Sequence, residues 1–327
     1  MLETLVTELR QSLGVLHKQD IQTVARFLSQ GSTHRPTHTA ILLGDDCAAI
    51  PDGDGYLLLA AEGIMPFFLE SDPWFAGWSA VMVNVSDIYA MGGRPIAVVD
   101  TLWSQSADLS QPLLAGMQAA AQAYQVPIVG GHTNCHSPYN ALSVAILGRA
   151  PKLITSFDAQ PGDRLLAAID LRGQAHPTYP FWNAATTADP HRLRTDLAVL
   201  PDLAEADLCR AGKDISMGGI LGTTLMLMET ASCGAILNLD RVSVPEGVPL
   251  ARWLISFPSY GFLLSVCPDQ VATVQQRFSD RQISCVEIGE IQATSQLVLE
   301  LQGERQLFWD LVDQPFTGFT PSPSAPP

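Results

Sequence analysis

The stretch Ile41–Pro51, "ILLGDDCAAIP", places Gly44, Asp45 and Asp46 directly after an apolar run. Four more acids or ligand-type residues occupy the same kind of position, beside a glycine or beside an apolar run. They are Glu62 in "LLLAAEG", Asp87 in "VNVSDIYAMGGRP", His132 in "IVGGHTN" and Asp214 in "GKDISMGG". Each adjoins residues that ought to be buried, and burying an unpaired carboxylate is costly. Several carboxylates together repel unless a cation joins them. Hard oxygen donors of this type suit Mg2+ (or Mn2+). Magnesium takes a few carboxylates and completes its shell with substrate phosphates.

Each position also has a plainer reading. The apolar pattern predicts a helix ended by Gly92-Gly93, and Val83 and Tyr89–Met91 bracket Asp87 on both faces. Asp87 is therefore hard to keep exposed; the alternative is a solvated helix residue or a local hydrogen-bonding partner. "VGGHT" reads as a strand followed by two glycines whose N–H groups can approach a phosphate as in an anion nest. Tight turns use Gly-Gly equally well, and a lone histidine such as His132 often has only a structural role. Asp214 and Ser216 precede a glycine-started helix, where the alternative to a ligand is an N-cap.

Other chemistries lack their residues. There is no G-x-x-x-x-G-K-[ST] loop, no G-x-S-x-G and no H-E-x-x-H. "GDDCAAIPDGDG" lacks the ligand spacing of a twelve-residue calcium loop. The six cysteines form no C-x-x-C pair, so they read as reduced, mostly buried thiols and not as a zinc site.

With 327 residues the chain can bury a sizeable core, and length alone favours two domains. A net charge of -15 argues against a nucleic-acid backbone or an anionic membrane as partner. It leaves phosphate substrates open, because divalent metal reverses local charge. The start, "MLETLVTELRQSLG", has no signal-peptide pattern. No apolar run is long enough to span a membrane. These features predict a cytoplasmic protein.

Apolar spacing over 2–30 predicts two helices broken near Gly14, followed by a polar loop, "GSTHRPTHT". Strands are expected at 39–43, 56–61, 96–102, 126–129 and 141–148, with a helix over 107–125. Residues 151–163 read as a connection. Beyond it, strand 164–170 leads to a helical stretch, "RTDLAVLPDLAEADLCRAG", bent or divided by Pro201. An amphipathic helix stopped by Gly234 follows, then strand 235–239, a helix near 249–255 and strand 261–267. Helix 268–279 and strands 284–291 and 296–301 complete the pattern. Helices alternating with short apolar runs predict an α/β (α+β) fold. The expected division is 1–150, 151–315 and a disordered Pro/Ser-rich tail at 316–327.

Taken in order, "GDDCAAI", "VNVSDIYAMGGRPIAVVD", "VPIVGGHTN", "ALSVAILGRA" and "DISMGGILGTTLMLMETASCGAILNLD" resemble the AIR synthase (PurM-like) superfamily. That superfamily includes aminoimidazole ribonucleotide synthetase, formylglycinamide ribonucleotide amidotransferase, selenophosphate synthetase, thiamine-monophosphate kinase and HypE. The resemblance covers about 40–300. It implies two α/β domains, the first completing a β-barrel in a homodimer, with Mg2+ (or Mn2+) bridging the phosphates of ATP. By position, Asp46, Asp45, Asp87 and Asp214 would be metal ligands, joined by Glu62 where many members carry aspartate. Asn84, Gly130, Gly131, His132 and Thr133 would contact the nucleotide. His132 falls where kinase-like members have aspartate and selenophosphate enzymes have histidine.

The sequence also departs from the named members. Thiamine-monophosphate kinases carry "GGEDYEL" where this chain reads "FPSYGFLLSV". Selenophosphate synthetases carry an early Cys or Sec near a lysine; here no cysteine precedes Asp45, and Lys18 and Arg35 are among the nearby cations. These differences point to a branch with its own substrate. "LRGQAHPTYPFWNAAT" holds His176, Tyr179, Phe181 and Trp182, which either line a substrate pocket or fill a loop core. The expected activity is ATP- and Mg-dependent phosphorylation or activation of a small acceptor. The alternative is a non-catalytic nucleotide-binding regulatory or scaffold protein.

Overall fold

The structure is a computed structural model that describes residues 2–31 and 41–319. The expected loop, together with Arg35, falls almost wholly outside the described residues, as does the end of the tail at 320–327. Three helices open the chain, α1 (Leu2–Arg10), α2 (Leu13–Lys18) and α3 (Ile21–Gly31). The expected break near Gly14 lies instead at Gln11–Ser12. Gly14 sits inside α2, where a Cβ would come 2.8 Å from the Gly218 nitrogen.

By packing, the chain divides into two discontinuous units. One comprises Asp46–Leu153 with Ala185–Glu205; the other takes the described parts of Met1–Asp45, Ile154–Ala184 and Ala206–Pro327. The first unit holds β1 (Ala48–Asp52), β2 (Gly55–Ile64), β3 (Arg94–Trp103), β4 (Ile128–Asn134) and β5 (Ala141–Ala150) in the order β1-β2-β5-β3-β4. Its helices are α4 (Pro66–Ser71), α5 (Pro73–Ala90), α6 (Ala107–Tyr124), α7 (Pro190–Leu197) and α8 (Val199–Glu205). Strand pairs are antiparallel except β3–β4, which runs parallel with α6 as its crossover.

Two sequence expectations change here. Residues 41–43 are irregular and β1 begins only at Ala48, so the aspartate pair precedes a strand and does not end one. Gly44, at φ +109°, turns the chain before them. The helical stretch around Pro201 divides at Ala198. Proline has no N–H for the Leu197 carbonyl and its ring crowds that oxygen.

Helix α5 starts cleanly because the Asp72 carboxylate accepts from the Phe75 N–H at 3.2 Å and Pro73 occupies the first turn. It ends at Gly92, φ +72°. Pro73, Trp74 and Val83 alone escape burial. Its partner α6 approaches to backbone contact: a Cβ on Gly77 would lie 2.0 Å from the Leu113 oxygen, and one on Gly116 1.9 Å from the Trp74 oxygen.

The second unit carries β6 (Arg164–Ile169), β7 (Gln174–Ala175), β8 (Phe181–Asn183), β9 (Ala211–Asp214), β10 (Gly234–Asn238), β11 (Phe257–Pro258), β12 (Gly261–Val266), β13 (Ser284–Gln292), β14 (Gln296–Leu301) and β15 (Glu304–Asp310). Seven of these form one sheet, β15-β14-β10-β13-β6-β12-β9, and three a small one, β11-β8-β7. Strands β7, β8, β9, β11 and β15 were not expected. Its helices are α9 (Gly219–Ala231), α10 (Leu250–Leu254) and α11 (Val271–Ser279). The expected amphipathic helix is α9, but 219–230 are buried throughout, and Ser232 at φ +55° ends it before Gly234 begins β10. It is apolar all round because it shares one core with Leu2, Val6, Leu9 and Val15 of α1 and α2 as well as with the sheet. Phe316 and Thr317 are buried, so ordered chain continues past the expected start of the tail.

Candidate nucleotide and metal site

In the first unit the sheet and α5 bring several expected residues together. Asn84 and Asp87 are buried on α5, at 0% and 6% exposure. The Asn84 amide donates to the Ala80 carbonyl at 2.8 Å, and its Oδ1 has no hydrogen-bond partner among the described residues. The buried Cys47 N–H donates to Met91 Sδ at 3.1 Å. That contact ties the segment after Asp46, itself half-buried, to the helix end one turn beyond Asp87.

Strand register adds a cross-strand row. Glu62 pairs with Val144, Val144 with Asp100, and Asp100 with Gly131. Alternation puts Glu62 on the same sheet face as buried Leu58 and Ala60, yet Glu62 itself is exposed. Asp100 is half-buried, and burial pushes its carboxyl above the usual range. It was missed in the sequence, where "IAVVDTLW" reads as a plain strand.

The nest expected at "VGGHT" is corrected. Gly130, Gly131, His132 and Thr133 all lie inside β4, an exposed edge strand, and neither glycine has positive φ. A nest needs alternating helical conformations, which an extended strand lacks. The smallness of Gly131 has a local cause: a Cβ there would lie 2.4 Å from Asp100 Oδ1. His132 packs its ring 5.8 Å from Trp103.

In the second unit, Asp45 forms a buried ion pair. Its Oδ1 is 3.6 Å from Lys213 Nζ, with the two side chains 1% and 3% exposed, and its Oδ2 accepts from the Ser156 N–H at 2.8 Å. Neighbouring aspartates are thus treated differently. Asp214 is the buried last residue of β9. It is not the N-cap of α9, because Gly218 holds that position without a side-chain bond.

The aromatic segment divides as well. His176 stacks on Tyr179 at 5.1 Å, and Arg252 donates to both of their carbonyl oxygens. Trp182 is buried, donates to the Asp170 carbonyl at 2.9 Å and meets Trp253 edge-on at 5.5 Å, so it fills core. The thiols behave as expected for structural cysteines. Burial pushes Cys209, Cys233 and Cys285 up to about 12, while Cys267 is exposed.

Within either unit, among the described residues, no three His, Cys, Asp or Glu side chains converge as a metal cage. Magnesium does not need one, since it takes one or two carboxylates and fills its shell with water and phosphate. An all-oxygen donor set and the unpartnered buried oxygen of Asn84 fit such an ion.

Comparison with known proteins bears on the fold. Residues 44–150 match the profile described as AIR synthase related protein, N-terminal domain, and 161–302 the corresponding C-terminal domain. A Synechocystis protein is 59% identical over 98% of this chain and 99% of its own length. The selenide, water dikinase of Myxococcus xanthus is 26% identical over 75% of this chain and 72% of its own. Among solved structures, T. maritima PurL complexed with ATP has a TM-score of 0.67 at 19% identity, covering 85% of this chain and 47% of PurL. AaThiL complexed with AMPPCP and TMP has a TM-score of 0.64 at 19% identity, covering 87% of this chain and 92% of its own. No helix among the described residues is long and apolar enough to cross a membrane. The motif order, the two mixed-sheet units and both profile matches agree: this chain belongs to the AIR synthase-related family.

Proposed function

We propose that the protein is an ATP- and Mg2+-dependent enzyme that phosphorylates or otherwise activates a small-molecule acceptor. The observation that carries the reading is α5, where Asn84 and Asp87 are buried one turn apart and the Asn84 oxygen lacks a hydrogen-bond partner among the described residues. Leaving that amide oxygen buried is unfavourable unless something binds it. Relatives solved with ATP or its analogues share the fold. Asp46 and Asp87, with Glu62, would hold the metal, and Gly130–Thr133 on the open edge strand would take the nucleotide. When bound, the metal would neutralise phosphate charge. The protein's own part is to position the acceptor and phosphates and to exclude water. His176 and Tyr179 are the residues proposed to meet the acceptor, and the setting is the cytoplasm.

A homodimer is part of the proposal. Leu59, Val99 and Leu147 lie on the sheet face turned away from α5 and are exposed. Apolar rows of this kind are usually covered by a partner. Leu147→Arg should halve the mass seen in sedimentation; an unchanged mass would remove the dimer.

The second reading, a non-catalytic nucleotide-binding protein, is favoured by one segment. The "FPSYGFLLSV" strand has no acid, and its Ser259 hydroxyl serves the backbone by accepting from the Ala184 N–H at 2.9 Å. Metal-dependent ATP consumption across a panel of small acceptors separates the two. Turnover that requires one acceptor class supports the enzyme. Tight binding with no turnover supports the regulatory protein.

A further inference from the structure

The described parts of two stretches outside the matched profile ranges, 1–43 and 303–327, meet each other in the second unit. The Arg10 guanidinium donates to the Phe308 and Leu307 carbonyls at 2.6 and 3.0 Å. Gln22 of α3 donates to the Pro315 and Phe316 carbonyls at 2.7 and 3.1 Å. Phe316 has no exposed surface.

The grip on this terminal segment comes from Glu229, a buried carboxylate in the last turn of α9. It accepts from the Phe316 and Thr317 N–H groups at 2.7 Å each, from Gly318 N–H at 3.2 Å, and from the Thr317 hydroxyl. Such charge-assisted bonds are about twice as strong as neutral ones. The segment then delivers Phe319 to Gly44: a Cβ on Gly44 would lie 2.6 Å from the Phe319 Cβ and 3.2 Å from Thr230 Cγ2. Thr230, next to Glu229, donates to the Ser156 carbonyl at 2.9 Å, and the Ser156 N–H holds Asp45. One helical turn therefore controls both the terminal segment and the far side of the Gly44–Asp45 turn.

We infer that Pro315–Phe319 is a latch that orders the Gly44–Asp45 turn, and that Glu229 is its positioning residue. Asp46 follows that turn directly in sequence. Its consequence for nucleotide affinity rests on the function proposed above; its effect on the turn does not.

The test is amide hydrogen exchange on the full chain, wild type against Glu229→Gln and Phe319→Ala. The second variant spares the buried Phe316, so it remains informative if the first fails to fold. Exchange at Gly44 and Asp45 should rise at least about tenfold in each folded variant while β6 and β12 stay protected. Affinity for a non-hydrolysable ATP analogue with Mg2+ should fall in parallel. Faster exchange at 316–318 with Gly44 and Asp45 still protected would overturn the latch. A loosened turn in a protein whose wild type binds no nucleotide would keep the latch and overturn the proposed function instead.

Discussion

Helices α5 and α9 are both buried on nearly every side, yet they hold their buried polar groups in different ways. In α9, Glu229 is met by three backbone N–H groups and a hydroxyl, all from this chain. Its role is complete without any ligand. In α5, Asp87 lies one turn from an Asn84 oxygen that no described residue satisfies. Glu229 organises its own chain, while the function proposed above would have α5 receive a metal-bound nucleotide. Asp45, paired with Lys213, and half-buried Asp46 are neighbours in sequence.

The comparison can be broken at its charged pair first. Removing one partner of a buried ion pair leaves the other uncompensated, so Lys213→Met should cost about 3–5 kcal/mol by chemical denaturation. Adding Asp45→Asn should cost less than the sum of the two single changes. Strict additivity would mean that the pair does not act as a unit.

A smaller effect sharpens the reading of β4. Gly131→Ala pushes a methyl against Asp100 and should cost about 1–3 kcal/mol. Nothing lies within 4 Å of a Cβ on Gly130, so Gly130→Ala should stay within about 0.5 kcal/mol in thermal unfolding. Equal losses would show that the strand, and not the Asp100 contact, requires both glycines.

The smallest change concerns solvent access. Cys209, Cys233 and Cys285 are held protonated by burial, so native protein near neutral pH should be labelled by a maleimide at Cys267 well before these three. Early labelling of Cys233 would mean that the core around α9 opens readily.

The sequence reveals α5 because its length and stop are local signals: dense apolar residues from Trp74 onward and Gly92-Gly93. Strand β2 and helix α6 are legible for the same reason. Lys213 as the partner of Asp45 is not legible, since the two are far apart in sequence and meet only through β9. The small strand β9 is lost because "AGKD" has no alternation of its own. Its strand state comes from pairing with β12. Asp100 escapes notice because an acid within an apolar strand gains meaning only once register places it beside Gly131.

The central claim is that α5 is built for a metal-bridged nucleotide. Thermal unfolding with a non-hydrolysable ATP analogue, with and without Mg2+, on wild type and Asp87→Asn, tests it directly. Saturating ligand at about 100 times its dissociation constant should add roughly 2.7 kcal/mol to the wild type. That gain should need metal and vanish in a variant that keeps its native near-UV circular dichroism. An equal gain in Asp87→Asn, or none in the wild type with any metal, would contradict the account.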